Sequence, residues 1–201
     1  MTSEPETEEW IRNYLGKGDV FYDVGAGVGE FALLAAKQGA KVIAFEPMAA
    51  SYLALVDAAR TSEGGIHVLP LPLALSAVMS TQILNLTSTE AGKTGHSMGL
   101  AMVNVRYVTY QHVVAVPLDW VISFLHLAPP TMLKVDVDGT EDHVIQGASI
   151  TLQLRSLRHA MIETNEIHRQ RFVDKTMDVA GFTLTARYEI SSQAWNCFYQ
   201  R

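Results

Sequence analysis

Asp23, Gly25, Gly27 and Gly29 occupy alternate positions in the stretch "DVGAGVGE", directly after a short apolar run. Glycines permit positive φ and let a ligand come close to the backbone. The helix that follows, "FALLAAKQGA", would offer free N–H groups at its start. A tight turn with no ligand would need only one glycine, so three alternating ones behind an acid point to a nucleotide-type ligand. Glu46 closes the next strand, "KVIAFEP", 17 residues after Gly29. A carboxylate there can accept both hydroxyls of a ribose, or it can cap the surface while Pro47 opens a helix.

A second group of charges lies in "MLKVDVDGTEDHVIQG", residues 132–147. Leu133, Val135 and Val137 alternate with Lys134, Asp136 and Asp138, as on the two faces of a strand. Asp138 and Glu141 have the spacing of a capping box, and Lys134 can neutralise nearby carboxylates. Asp136 lies too early to cap the helix and close enough to the strand end to enter a crevice, which makes it the site candidate. His96, in "KTGHSMG", is an exposed loop histidine or a second candidate base. Glu163, Asn165 and His168 follow the next strand and could line the same crevice. Asp136, Asp138 and Glu163 could form an oxygen-rich cation site, though their spacing alone establishes no metal.

Two nucleotide readings compete. "GVGEFA", residues 27–32, fits the G-x-G-x-x-G/A pattern of nicotinamide dinucleotides, but its first glycine lies beyond a strand end that is already complete. An oxidoreductase would also need a hydride site and a proton donor, and no Ser-Tyr-Lys arrangement supplies one. The spacing acid-x-G-x-G-x-G is instead that of folds binding S-adenosylmethionine, where the acid and loop can hold an amino group.

These residues need a scaffold. The chain has 201 residues, 48% hydrophobic and 18% charged, with net charge -6. That suits one domain over residues 1–201 and argues against a chain that mainly grips nucleic acid or anionic lipid. One cysteine, Cys197, excludes an internal disulfide; it reads as a buried small residue and points to a reducing compartment, the cytoplasm. The acidic start is no signal peptide, and no apolar run is long enough to span a membrane. Five strand-then-helix units predict a doubly wound, mostly parallel sheet. Within them, residues 8–15 predict a helix burying Trp10, Ile11, Tyr14 and Leu15. "LDWVISFLHL" predicts a short helix capped by Asp119, and the helix after Asp138 is expected to run to about residue 155. Two late strands with no helix between them predict an antiparallel edge strand. A β-pair, residues 81–87 and 105–116, flanks a long loop of the kind that is usually functional. Met98, Met102, Tyr107 and Tyr110 read as packing.

With these pieces together, the chain resembles the FkbM-type S-adenosylmethionine-dependent methyltransferases. The resemblance is carried by "DVGAGVGEFALLAAKQGAKVIAFEP", "LPLALS", "VPLDWVI", "LKVDVDGTEDHVIQGA" and "MIETNE". Asp138 stands where the family usually has Glu. The resemblance implies a seven-stranded class I methyltransferase fold with an antiparallel last strand and an insertion near residues 78–116. It implies methyl transfer to oxygen, on a sugar or secondary metabolite. It places Asp23, Gly25, Ala26, Gly27 and Gly29 at the methionine part and Glu46 with Pro47 at the ribose. Ala74, Leu75 and Ser76 would lie along the adenine, Asp136 near the reacting centre, and the loop 88–102 at the acceptor. A nicotinamide oxidoreductase and a non-catalytic S-adenosylmethionine-binding domain are the alternatives.

Overall fold

The computed structural model describes residues 4–99, 105–165, 167–191 and 194–201, and side chains for all of these except 165 and 167–169. Met102, Asn165 and His168 therefore lie outside the described residues or side chains. In chain order the first half comprises helix Pro5–Tyr14 (α1), strand Val20–Val24 (β1), helix Glu30–Lys37 (α2), strand Lys41–Phe45 (β2) and helix Ala49–Thr61 (α3). Strands Val68–Leu71 (β3), Ala74–Leu75 (β4), Ser80–Leu86 (β5), Ser97–Met98 (β6) and Thr109–Val116 (β7) follow. The rest is helix Leu118–Phe124 (α4), strand Met132–Val135 (β8), helix Glu141–Gln146 (α5), strand His159–Asn165 (β9), helix Ile167–Val179 (α6), and strands Thr183–Ser191 (β10) and Ala194–Gln200 (β11).

Seven strands form the main sheet in the order β10-β11-β9-β8-β1-β2-β3. Only β11 runs antiparallel to its neighbours, β9 and β10. The antiparallel strand is thus the last one, as expected, but it is not the edge. Burial explains the difference: β11 is largely buried on both faces, whereas β10 is exposed along nearly its whole length and forms the edge. The opposite edge is β3, where Pro70 is tolerated because one side of the strand needs no hydrogen-bond partner.

Helices cover both faces. Val20, Tyr22 and Val24 point to one side with Leu118 and Val121 of α4, Val144 and Ile145 of α5, and Val173 and Met177 of α6. Phe21, Met132 and Met161 point to the other, with Trp10 and Ile11 of α1, the alanines of α2 and Leu55 of α3. Both cores are closed, so a charge on β1 or β8 has no water to face unless it lies at the strand end. The inserted strands make a second sheet, β4-β7-β5-β6, whose inner face packs Ala74, Leu84, Leu86, Val113 and Ala115 onto Met48. Tyr110 points outward at 62% exposure and is not packing.

Local signals account for the other departures. Pro5 starts α1 three residues before the apolar periodicity, and Tyr14 lies exposed against the His159 ring, 4.4 Å between centroids. The helix after residue 140 stops at Gln146 and a separate 3₁₀ turn covers Thr151–Gln153. Asp119 does not cap α4. Its carboxylate accepts the N–H groups of Ile150 and Thr151, both at 2.8 Å, and so ties α4 to that turn.

Candidate active site

At the carboxyl edge of β1, β2 and β8 lies a cavity of about 240 Å³. The glycine loop forms its floor. Gly25 sits at φ +80, and a Cβ there would stand 1.7 Å from the Asp136 carbonyl oxygen. Only glycine lets β1 turn so close beneath the loop after β8. Gly27, at φ +56, has open space where a Cβ would project, and it lines the cavity. Glu46 fixes the loop from β2: its Oε2 accepts the Gly27 N–H at 2.7 Å and its Oε1 accepts the Met48 N–H at 2.8 Å. Burial raises the Glu46 pKa to about 7, although those two amides oppose the shift.

The charges on β8 resolve into a buried group. Val135 ends the strand, so Asp136 and Asp138 belong to the loop that follows rather than to an alternating strand face. Lys134 is 1% exposed and pairs in register with Asp23, which is fully buried. The Lys134 Nζ lies 3.0 Å from Asp136 Oδ2, 3.6 Å from Asp23 Oδ1 and 5.2 Å from the Phe31 ring centroid. The neighbouring carboxylates hold the Lys134 pKa above its ordinary value despite the burial that opposes it. Asp23 is pushed up by burial, with Lys134 pulling the other way.

The long loop folds over the cavity. Gly92 N–H donates to Ser51 Oγ at 3.1 Å, and Gly95 N–H donates to Asp138 Oδ2 at 3.0 Å. Asp138 adopts φ +56, a left-handed backbone that few non-glycine residues take up. Thr140, not Asp138, is the N-cap residue of α5, so the capping box does not form; Glu141 still reaches back, to the Gly139 N–H at 2.8 Å. The extra acid that looked like a cap is a latch on the loop instead. His96 is 7% exposed, not a solvent-facing loop residue. Its Nδ1 accepts the Thr87 N–H at 3.2 Å, which leaves the ring proton on Nε2 in the neutral form. Burial lowers its pKa, opposed by the Lys93 backbone.

Gly25, Ala26, Gly27, Glu46, Pro47, Ala74, Leu75, His96 and Asp136 therefore share one cavity wall. Asp23, Gly29 and Ser76 do not line it. Asp23 lies behind the loop on Lys134, Gly29 packs on Leu55, and the Ser76 side chain is buried away from the opening. The sequence reading missed Glu4, which also lines the cavity. Its Oε2 accepts the Thr7 hydroxyl at 3.0 Å and the Asn196 amide at 3.1 Å. Only a link between residues 192 apart brings it there, and no local spacing reveals such a contact. Among the described residues, no three His, Cys, Asp or Glu side chains are grouped to hold a metal. No described helix is long and apolar enough to cross a membrane.

The crowded carboxylates make stability depend on pH. Burial raises Glu46 and Glu141 to about 7 and Asp138 to about 6, and also raises Glu163. With raised pKa values the folded chain holds more protons than the unfolded chain between the ordinary carboxylate range and neutrality. Stability therefore falls as pH rises through that window. The ligand-free midpoint of thermal unfolding is expected to drop by at least about 3 °C from about pH 5 to about pH 7.5, roughly 1 kcal/mol for this chain length. A flat or rising midpoint by differential scanning calorimetry would contradict this electrostatic picture.

Comparison with known proteins agrees with the geometry. The family description "Methyltransferase FkbM domain" matches residues 23–188. No curated protein sequence matches the chain. Among solved structures, the methyltransferase FkbM of Methylobacillus flagellatus KT superposes with TM-score 0.61 at 15% identity, over 91% of this chain and 43% of that one. The chain thus spans less than half the length of that protein. The precorrin-6y C5,15-methyltransferase of Geobacter metallireducens GS-15 superposes with TM-score 0.57 at 11% identity, over 98% of this chain and 87% of that one. The fibrillarin of Aeropyrum pernix, solved with natively bound S-adenosyl-L-methionine, has TM-score 0.57 at 11% identity, over 98% and 74% of the two chains. At these identities the superpositions establish the fold, a class I methyltransferase-like sheet. The match over residues 23–188 establishes the family: this chain belongs to the FkbM family of S-adenosylmethionine-dependent methyltransferases.

Proposed function

We propose that this chain methylates a hydroxyl oxygen, on a sugar or another small secondary metabolite. The observation that carries the reading is the single cavity joining an open glycine loop, Glu46 and Asp136. Its donors and acceptors suit the cofactor. Each Glu46 oxygen that accepts one backbone amide keeps a lone pair for a ribose hydroxyl. Ala74 and Leu75 offer an apolar wall to a base. The surplus of carboxylates favours a cationic ligand and disfavours a pyrophosphate, and Glu30 also lines the cavity at the α2 start where a dinucleotide would place one.

S-adenosylmethionine, when bound, supplies a methyl group on a sulfonium centre. The protein's part is to align and to handle one proton. Lys134 occupies Asp136 Oδ2, while Oδ1 has no hydrogen bond among the described residues. That oxygen is placed to accept the proton of an acceptor hydroxyl and to orient the hydroxyl oxygen. The latched loop places His96 and Met98 in the wall of the same space. A base role for His96 requires the other tautomer and loss of the Thr87 contact.

Two measurements test this. A thermal-shift titration should show stabilisation by S-adenosylhomocysteine and none by NADH, since only a ligand of the folded state stabilises it. Methyl-labelled cofactor should then yield a labelled ether from a panel of sugars and hydroxylated metabolites. Label on nitrogen or carbon instead overturns the oxygen assignment. Tight S-adenosylhomocysteine binding with no transfer to any acceptor supports the non-catalytic alternative.

A further inference from the structure

Glu4 enters the cavity from the N-terminal segment, at the side opposite Glu46. Glu46 directly follows β2, on one flank of β1, while Lys134 lies in β8 and Asp136 directly follows it, on the other flank. Glu4 belongs to the β8 side: it feels the charges of Lys134 and Asp136 and is held by Asn196 of β11. Its Oε2 is occupied by Thr7 and Asn196, and its Oε1 has no hydrogen bond among the described residues. Among the described residues, the buried cation nearby does not neutralise the group. Lys134 already faces Asp23 and Asp136, so Glu4 adds a third carboxylate around a single ammonium. A carboxylate retained there in a cavity wall favours a second cation.

We infer that the Glu4 carboxylate is the anchor for the α-ammonium group at the amino-acid end of the cofactor. The assignment rests on the cofactor reading given above. A nucleoside whose ribose meets Glu46 would direct its amino-acid end across the glycine loop toward β8; on that side Asp138 is held by the Gly95 amide at 3.0 Å, while Glu4, like Asp136, keeps an oxygen without a hydrogen bond among the described residues. Asp136 then remains for the acceptor hydroxyl. Thr7 and Asn196 act through Glu4, fixing its carboxylate from α1 and β11, so ligand binding also ties the start of α1 to the sheet.

The test compares two nucleosides by calorimetric titration. S-adenosylhomocysteine carries the amino-acid end; 5′-methylthioadenosine lacks it. Glu4→Gln keeps a carbonyl oxygen for Thr7 and Asn196 and loses only the charge. The variant should bind S-adenosylhomocysteine at least about tenfold more weakly, the loss of one charge-assisted hydrogen bond, and 5′-methylthioadenosine within about twofold of wild type. Unaltered methylthioadenosine binding also shows that the variant is folded. Equal losses for both ligands would mean a structural role and overturn the assignment. No loss, or tighter binding of S-adenosylhomocysteine, would place the ligand's carboxylate or nothing at Glu4 and overturn it too. If wild type binds neither nucleoside, the cofactor site itself falls, and this assignment with it.

Discussion

Asp136→Asn is expected to lower kcat by about two to three orders of magnitude, the usual loss when a positioned proton acceptor is removed, while the chain stays folded. The substitution is nearly isosteric. The amide oxygen can still face the Lys134 ammonium at 3.0 Å, so the buried group keeps its shape. What disappears is the charged second oxygen that faces the cavity. The fold has reason to tolerate the change, because the Asp136 charge raises the pKa of Glu4, Asp23, Asp138, Glu141 and Glu163. Removing it relieves that repulsion but also takes from the buried Lys134 its nearer counter-charge, with Asp23 still facing the ammonium, so the unfolding midpoint at neutral pH should fall by less than in the Lys134 variant below. Steady-state kinetics with a methylated product as readout, beside calorimetry, decides the matter. Full turnover in the variant would remove Asp136 from the reaction.

Lys134→Met should act on the fold instead. Lys134 is buried between two carboxylates, and Met fills a similar volume without charge. Breaking a buried ion pair from one side costs about 3–5 kcal/mol, because the partner is left charged and dry. Asp23, fully buried, would then keep only the Ala32 amide near it. The unfolding midpoint should fall by roughly 10 °C at neutral pH. The loss should shrink in acid, where Asp23, already raised, takes up a proton instead of remaining charged. Adding Asp23→Asn should restore much of the stability. A single variant as stable as wild type, or a double variant no better than the single, would show that Lys134 does not hold these charges together.

The covered sheet, the glycine loop and the Glu46 position were legible because each rests on neighbours close in sequence. Asp23 lies off the cavity wall for a reason that spacing does not show. Its type and spacing point to a ligand, but only the cross-strand register with Lys134 reveals that it serves a buried pair. Asp138 shows the limit from the other direction. D-G-T-E satisfies the arithmetic of a cap, yet a left-handed backbone at Asp138 turns the carboxylate toward Gly95, 43 residues away in the chain. Glu4 was invisible, since nothing near it in sequence mentions β11. The position of β11 itself could not be read from the absence of a helix between β10 and β11. It follows from which of the two strands has apolar residues enough for two covered faces.

The interior place of β11 has a consequence for how the protein comes to be made. Every other strand of the main sheet leaves the ribosome before it, yet among the described residues β10 pairs with no strand except β11. Until Ala194–Gln200 emerges, β9 presents an open border and the preceding nascent segment has nowhere to dock. Synthesis therefore passes through a brief interval in which an apolar strand edge is bare, open to chaperone capture or to joining another unfinished copy.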